Sequence, residues 1–307
     1  VDAVSAALAG TRAVGLDIGG TKTHGVVLES DGTILAEVRE STVPGAEGVT
    51  ATAARVFEAL RSATRLPLDC RVGVGVPGLV DGERGILRHA VNLDVNGDDL
   101  PLRDLLTDRL GVPVVIENDV NAAALAARAL AGADDVVYLS VGTGLAAGLV
   151  MRGTLRRGEH SAAGEIGHIP VDPEGARCGC GQRGCLETIA SGAALSQAWP
   201  TTEQWPAAAL FAAAETGDPA ALAVRDRFCW GVASAIRMLG LTIDPERIVL
   251  GGGVTEVGEP LRLAVVEQLK VLGEGSPFLA SLGLADRLSI VPSGFPVAAV
   301  GAAILGR

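Results

Sequence analysis

Short apolar runs separated by glycine-rich turns open the chain. Residues 13–18 read as a buried strand, and Gly19-Gly20-Thr21-Lys22 follows as a tight polar turn. Residues 25–28 form a second strand, Ser30-Asp31-Gly32 a hairpin turn, and residues 33–38 a third strand. The pattern predicts a three-stranded meander. The period then lengthens: Ala53, Val56 and Leu60 share one face of a helix over 49–64. A strand at 71–76, a short helix at 102–110, a strand at 113–116 and a helix at 120–131 complete a first half.

The same plan then begins again. Residues 135–141 form a strand, Gly142-Thr143-Gly144 a turn, residues 145–151 a strand, and Arg152-Gly153 the next turn. Helices near 207–215 and 219–241 lead to a strand at 247–250 and the turn Gly251-Gly252-Gly253. A strand at 288–291 and a helix at 297–305 end the chain. Strands alternating with helices predict an α/β fold, and the repetition predicts two similar halves, each βββαβαβα, with a cleft between them for ligands.

Composition narrows the class. The 307 residues suffice for two domains, and 48% are hydrophobic with only 3% aromatic, so Val, Leu, Ile and Ala must fill the cores. A net charge of −11 argues against nucleic acid and anionic membrane as partners. No apolar run approaches a membrane span, and residues 1–10 lack the pattern of a signal peptide, so a cytoplasmic location is expected. Five cysteines, three of them clustered, fit a reducing compartment and a metal better than a disulfide framework. Cys70 and Cys229 are expected in the core.

Three groups of residues carry candidate chemistry. The first is the set of glycine turns. Gly19, Gly20, Thr21 and Lys22 offer free N–H groups, a hydroxyl and a cation suited to phosphate, and Asp17 just before them offers a carboxylate to Mg²⁺. Such turns recur at Gly142-Thr143-Gly144 and Gly251-Gly252-Gly253, which favours nucleotide binding over plain hairpins, although no P-loop or dinucleotide fingerprint is present. The second is Glu117-Asn118-Asp119, at a strand end that opens a helix. Asn118 can read a sugar hydroxyl and Asp119 can accept a proton from one, while a simple N-cap explains the pair equally well. The third is Gly164-Glu165-Ile166-Gly167-His168 with Cys178, Cys180, Cys185 and Glu187. Three thiolates and an imidazole suit tetrahedral Zn²⁺, and the flanking acids Glu165 and Glu187 suggest a substrate pocket beside the metal.

Together these motifs, with Gly75-Val76-Pro77-Gly78-Leu79-Val80, resemble the ROK family from about Ala13 to the C-terminus. The histidine–cysteine segment is the most specific part. The resemblance implies a two-lobed, actin-like (ribonuclease-H-like) ATPase fold. It places residues 1–117 with a C-terminal helix at about 297–307 in a small lobe, and residues 118–296 in a large one. It implies an ATP-dependent hexose kinase, glucose being the expected acceptor, with Asp119 as catalytic base. Gly78, Asn118, Glu165, His168 and Glu187 would bind sugar hydroxyls. The three glycine turns would hold ATP, with Mg²⁺ near Asp17 and zinc on His168, Cys178, Cys180 and Cys185. Zinc would order the sugar-binding wall, so that its loss raises the sugar KM and leaves nucleotide affinity nearly unchanged.

The chain departs from the family pattern at Ala146, where the second turn carries glycine, and at Ala298, in a segment that carries Asp-Ala-Gly. These changes touch the nucleotide side and keep open a second reading, a sugar sensor without catalysis. An N-acetylhexosamine or fructose acceptor also remains open. With 16 residues before Asp17, no DNA-binding domain of the family's repressors is expected, and a homodimer is the expected assembly.

Overall fold

The computed structural model describes residues 12–66, 70–95 and 99–307. Residues 1–10, weighed above for a signal peptide, lie outside the described residues. Strands β1 (Ala13–Ile18), β2 (Lys22–Leu28) and β3 (Ile34–Ser41) form the expected antiparallel meander. Helix α1 (Ala46–Thr64), β4 (Val72–Val76), the hairpin β5 (Leu79–Asp81) and β6 (Ile86–Arg88), α2 (Leu102–Leu110), β7 (Val114–Asn118) and α3 (Asp119–Ala131) follow. The second half runs through β8 (Val136–Val141), β9 (Leu145–Met151) and β10 (Thr154–Arg156). Helices α4 (Glu187–Ala190), α5 (Gly192–Ala198), α6 (Pro206–Glu215) and α7 (Pro219–Thr242) lead to β11 (Arg247–Gly251). Helices α8 (Glu259–Gly273) and α9 (Pro277–Ser281), strand β12 (Leu288–Ile290) and helix α10 (Val297–Leu305) end the chain. Among the described residues, no helix is long and apolar enough to cross a membrane.

The two halves repeat one sheet topology. The first sheet has the order β3-β2-β1-β4-β7 and the second β10-β9-β8-β11-β12. In the first, β1, β4 and β7 are parallel; in the second, β8, β11 and β12 are. The duplicated plan read from the pattern is therefore present strand for strand. The pattern left residues 259–273 unassigned, yet Leu261, Val265 and Leu269 bury one helical face there.

The chain divides into two compact units. Among the described residues, the first comprises those up to 134 together with 148–163 and 296–307; the second comprises 135–147 and 164–295. The boundary read from the sequence assigned residues 118–134 and 148–163 to the large lobe, whereas this division places them with the first unit. The reason is packing by small residues. Helix α10 lies on α3, β1 and β4. An added Cβ would fall 1.8 Å from Ala302 O at Gly73 and 1.8 Å from Ala122 O at Gly301. Glycine at these contacts lets the last helix sit directly on the β4 backbone and on α3. The core of this unit combines β1, β4 and β7 with Phe57 and Leu60 of α1 and Leu102 and Leu106 of α2, all fully buried side chains from the helices. In the second unit, β8 and β11 bury Val137, Leu139, Ile248 and Leu250, and α7 buries Phe228, Val232 and Ile236.

Candidate active site and metal centre

The first unit presents its chemistry at the ends of parallel strands, where the main chain hands over to helices and turns. The register aligns Asp17 of β1 with Gly75 of β4, and Gly75 with Glu117 of β7. Gly75 has no side chain to separate its neighbours. The first residue of α3, Asp119, settles over it, with its Cα 3.4 Å from where a Cβ would lie. Asp119 thus comes near Asp17. Burial, and then the Asp119 carboxylate, push Asp17 up to about 7, with Lys22 opposing. Desolvation and a like charge both penalise the ionised form.

Asn118 is the N-cap of α3. Its Oδ1 accepts from Val120 N–H (2.9 Å) and Asn121 N–H (3.1 Å), and its Nδ2 donates to Gly78 O (3.1 Å). Both lone pairs of Oδ1 are then used, and one Nδ2 hydrogen remains for a ligand. The capping and functional readings are therefore compatible. The same contact brings the Gly78 turn to the Asn118 strand end.

Beneath this pair lies a network that the motif reading did not single out. The Glu117 side chain is 2% exposed. Its Oε1 accepts from Asn118 N–H (2.9 Å) and Asn121 Nδ2 (3.1 Å), and its Oε2 accepts from Arg157 Nε (2.5 Å). Glu117 was visible in the polar triplet. Its partner Arg157 lies 40 positions away and carried no local signal. In the turn of residues 19–22, Gly19 N–H donates to Lys22 O (2.9 Å), and Thr21 and Lys22 are exposed.

In the second unit, the ligand atoms of His168, Cys178, Cys180 and Cys185 all lie within 4.8 Å of one another. Cys180 Sγ and Cys185 Sγ are 3.7 Å apart, and Cys178 Sγ lies 3.6 Å from His168 Nδ1. Zinc–sulfur bonds of about 2.3 Å and zinc–nitrogen bonds of about 2.0 Å in a tetrahedron demand edges of roughly 3.5–3.8 Å. The donor set fits zinc, and these two edges match its tetrahedron. Gln182 Nε2 donates to Cys180 Sγ (3.4 Å) and lies 3.8 Å from Cys185 Sγ. The Gln182 contact is the main reason that the Cys180 thiol is lowered to about 6, while burial pushes Cys185 up to about 12. Donors of this kind outside the ligand shell orient thiolates and stabilise their charge. His168 turns Nδ1 to the cluster, and its Nε2 lies 3.9 Å from Glu165 Oε2.

The glycines of this segment serve close approach. Gly164 has φ +96°, and a Cβ there would lie 1.8 Å from Ala147 O. Gly164 O accepts from Ala147 N–H (2.8 Å), so the segment adds onto the start of β9. Glu187 reaches the same place, its Oε2 accepting from Leu145 N–H (2.9 Å). The turns at Gly142-Thr143-Gly144 and Gly251-Gly252-Gly253 also meet. A Cβ on Gly252 would lie 2.6 Å from Val141 C and 2.8 Å from Gly142 N. The second unit thus gathers Glu165, His168, Glu187, the metal ligands and two glycine turns around the end of β8 and the start of β9. The first gathers Asp17, Gly78, Asn118 and Asp119, with the turn of residues 19–22 directly after β1.

Comparison with known proteins defines the class. Among solved structures, a ROK family glucokinase from Streptomyces griseus, in complex with glucose and AMPPNP, is 31% identical with a TM-score of 0.79. The comparison covers 96% of this chain and 99% of that one. A ROK hexokinase from Thermus thermophilus is 33% identical with a TM-score of 0.75, covering 96% and 98%. The fold is the two-lobed actin-like ATPase fold of these sugar kinases. The ROK family model matches residues 13–276. A glucokinase from Thermotoga maritima is 33% identical over 311 aligned positions, covering 91% of this chain and 97% of the relative. The chain belongs to the ROK family.

Proposed function

We propose that the chain is an ATP-dependent hexose kinase with glucose as its acceptor and Asp119 as its general base. The observation that carries this reading is the placement of Asp119 at the head of α3, on a capped, half-buried strand end, beside an Asp17 whose proton is held up to about 7. The glucokinase relative and the neighbour containing glucose and an ATP analogue support the choice of substrates.

A sugar hydroxyl is a weak nucleophile, and phosphoryl transfer depends mainly on positioning and charge neutralisation. In the proposed reaction the hydroxyl oxygen forms a bond to the γ-phosphorus. The bond from that phosphorus to the bridging oxygen breaks, and ADP leaves with the electron pair. Asp119 takes the hydroxyl proton. Asn118 spends its one remaining Nδ2 hydrogen on a sugar oxygen. Gly78 lines the same wall, and Glu165, His168 and Glu187 supply further contacts to sugar hydroxyls. The turns at 19–22, 142–144 and 251–253 hold the nucleotide through their N–H groups.

Asp17 fits a divalent cation, because its desolvated carboxylate next to Asp119 is relieved by positive charge. Mg²⁺ held there would neutralise phosphate charge. Zinc on His168, Cys178, Cys180 and Cys185 would fix the imidazole tautomer and the course of the Glu165 loop.

The test is ADP release with MgATP across a panel of hexoses and amino-hexoses. Turnover with glucose, lost in Asp119→Asn while the protein stays folded, is expected. Wild-type protein inert toward the whole panel overturns the reading and favours a sugar sensor.

A further inference from the structure

The motif reading gives the metal segment to the sugar alone. The contacts around Glu187 point elsewhere. Its Oε2 accepts the N–H of Leu145, the first residue after the Gly142-Thr143-Gly144 turn. The carboxylate lies so close to the turn that a Cβ on Gly144 would fall 2.5 Å from the same oxygen. The next residues bind the rest of the turn: Gly192 N–H donates to Gly142 O (2.7 Å) and Ala193 N–H to Thr143 O (3.2 Å). Ser191 caps α5 by accepting from Ala194 N–H (3.1 Å), which fixes the direction of those donors. Residues 187–193 therefore hold two carbonyls of the turn and the N–H of the residue that follows it. The stretch begins two residues after Cys185, and Leu186 N–H is itself anchored on Ile169 O (3.0 Å), next to His168.

We infer that Glu187 is a positioning residue for the Gly142-Thr143-Gly144 turn, so that metal loading of the cysteine cluster sets nucleotide affinity through it. The physical case is one of order. A glycine turn has many backbone states, and its N–H groups bind phosphate well only if they are held in one of them. A hydrogen bond to a carboxylate is among the stronger restraints available. The restraint is only as rigid as the segment that carries the carboxylate, and a metal bound to the ligands just before it would add to that rigidity. Glu187 would then serve both substrates, one oxygen on the turn and the other available to a sugar hydroxyl.

The inference rests on the nucleotide reading proposed above, and the test separates the two. Binding of Mg-AMPPNP without sugar is measured by calorimetry on the metal-loaded protein, on Glu187→Ala, on Glu187→Gln, and on protein treated with a chelator. Glutamine keeps an acceptor for Leu145 N–H, whereas alanine does not. Affinity roughly tenfold or more weaker is expected in Glu187→Ala and in chelated protein, with Glu187→Gln near wild type. Equal affinity in wild type and Glu187→Ala overturns the inference, as does equal weakening in both variants. Hydrogen exchange at the Leu145 amide needs no nucleotide and supplies the second readout. Its protection should fall in Glu187→Ala and on metal removal, and return on adding Zn²⁺. Wild-type protein that binds no nucleotide refutes the nucleotide reading; unchanged Leu145 exchange refutes the Glu187 coupling by itself.

Discussion

Replacing Arg157 by methionine tests the network under the proposed base most directly. Glu117 is 2% exposed and Arg157 41% exposed, with Nε and Oε2 2.5 Å apart. Methionine keeps the apolar stem and removes the charge. Breaking a buried pair in this way costs about 3–5 kcal/mol when the remaining charge has no other relief. Here Glu117 keeps hydrogen bonds from Asn118 N–H and Asn121 Nδ2, and water can reach the side once occupied by the half-exposed guanidinium. The expected loss is therefore ~2–3 kcal/mol. For a unit of this size each kcal/mol moves Tm by ~2–4 °C, so a fall of ~4–12 °C should appear in a thermal melt followed by circular dichroism. The Glu117→Gln/Arg157→Met double variant should recover part of the loss, since no buried charge is left, and a double-mutant cycle reads the coupling directly. Because Glu117 also holds the Asn118 N–H, kcat should fall with little change in metal content. A melt within ~1 °C of wild type, or strictly additive single effects, would refute the argument.

Other expectations follow from the same geometry. Asp119→Asn should lower kcat by about 10²–10⁴-fold in a coupled ADP-release assay, with sugar binding by calorimetry largely retained. Asp17 makes the unliganded protein pH-sensitive. Its folded value, about 7, lies above the usual carboxylate value, so its contribution is complete at low pH and is lost as pH rises through 7. The stability curve of wild type should thus slope downward between about pH 4 and pH 7 relative to that of Asp17→Asn, and urea denaturation at pH 5 and pH 8 should read about 2–3 kcal/mol of that loss. Gly164→Ala would place a methyl 1.8 Å from Ala147 O at φ +96°. Displacement of the Glu165–His168 segment should follow, with weaker zinc retention against a competing chelator.

Much of the fold was legible in the order of residues. The meander, the helix at Leu102–Leu110, the strand at Leu145–Met151 and the helix at Val297–Leu305 follow from periodicity and turn residues, because these act within a few positions along the chain. The metal ligands were legible for the same reason, since Cys178, Cys180 and Cys185 fall within eight residues. Helices at Glu187–Ala190 and Gly192–Ala198 were not, because such short elements carry too few positions to show a period.

The sequence by itself determined the donor types and the family: which thiols, which imidazole, which acid heads a helix. Only the tertiary structure decided what each is held by. Asp17 departs from an ordinary carboxylate first because it is buried, and then because Gly75 leaves room for Asp119 beside it. Glu117 is buried because Arg157 arrives from the end of β10. Glu187 bears on Leu145, the residue after a glycine turn, 42 positions upstream. Desolvation, charge proximity and hydrogen bonding depend on distance in space, and the sheet register and the packing of glycine on backbone set those distances.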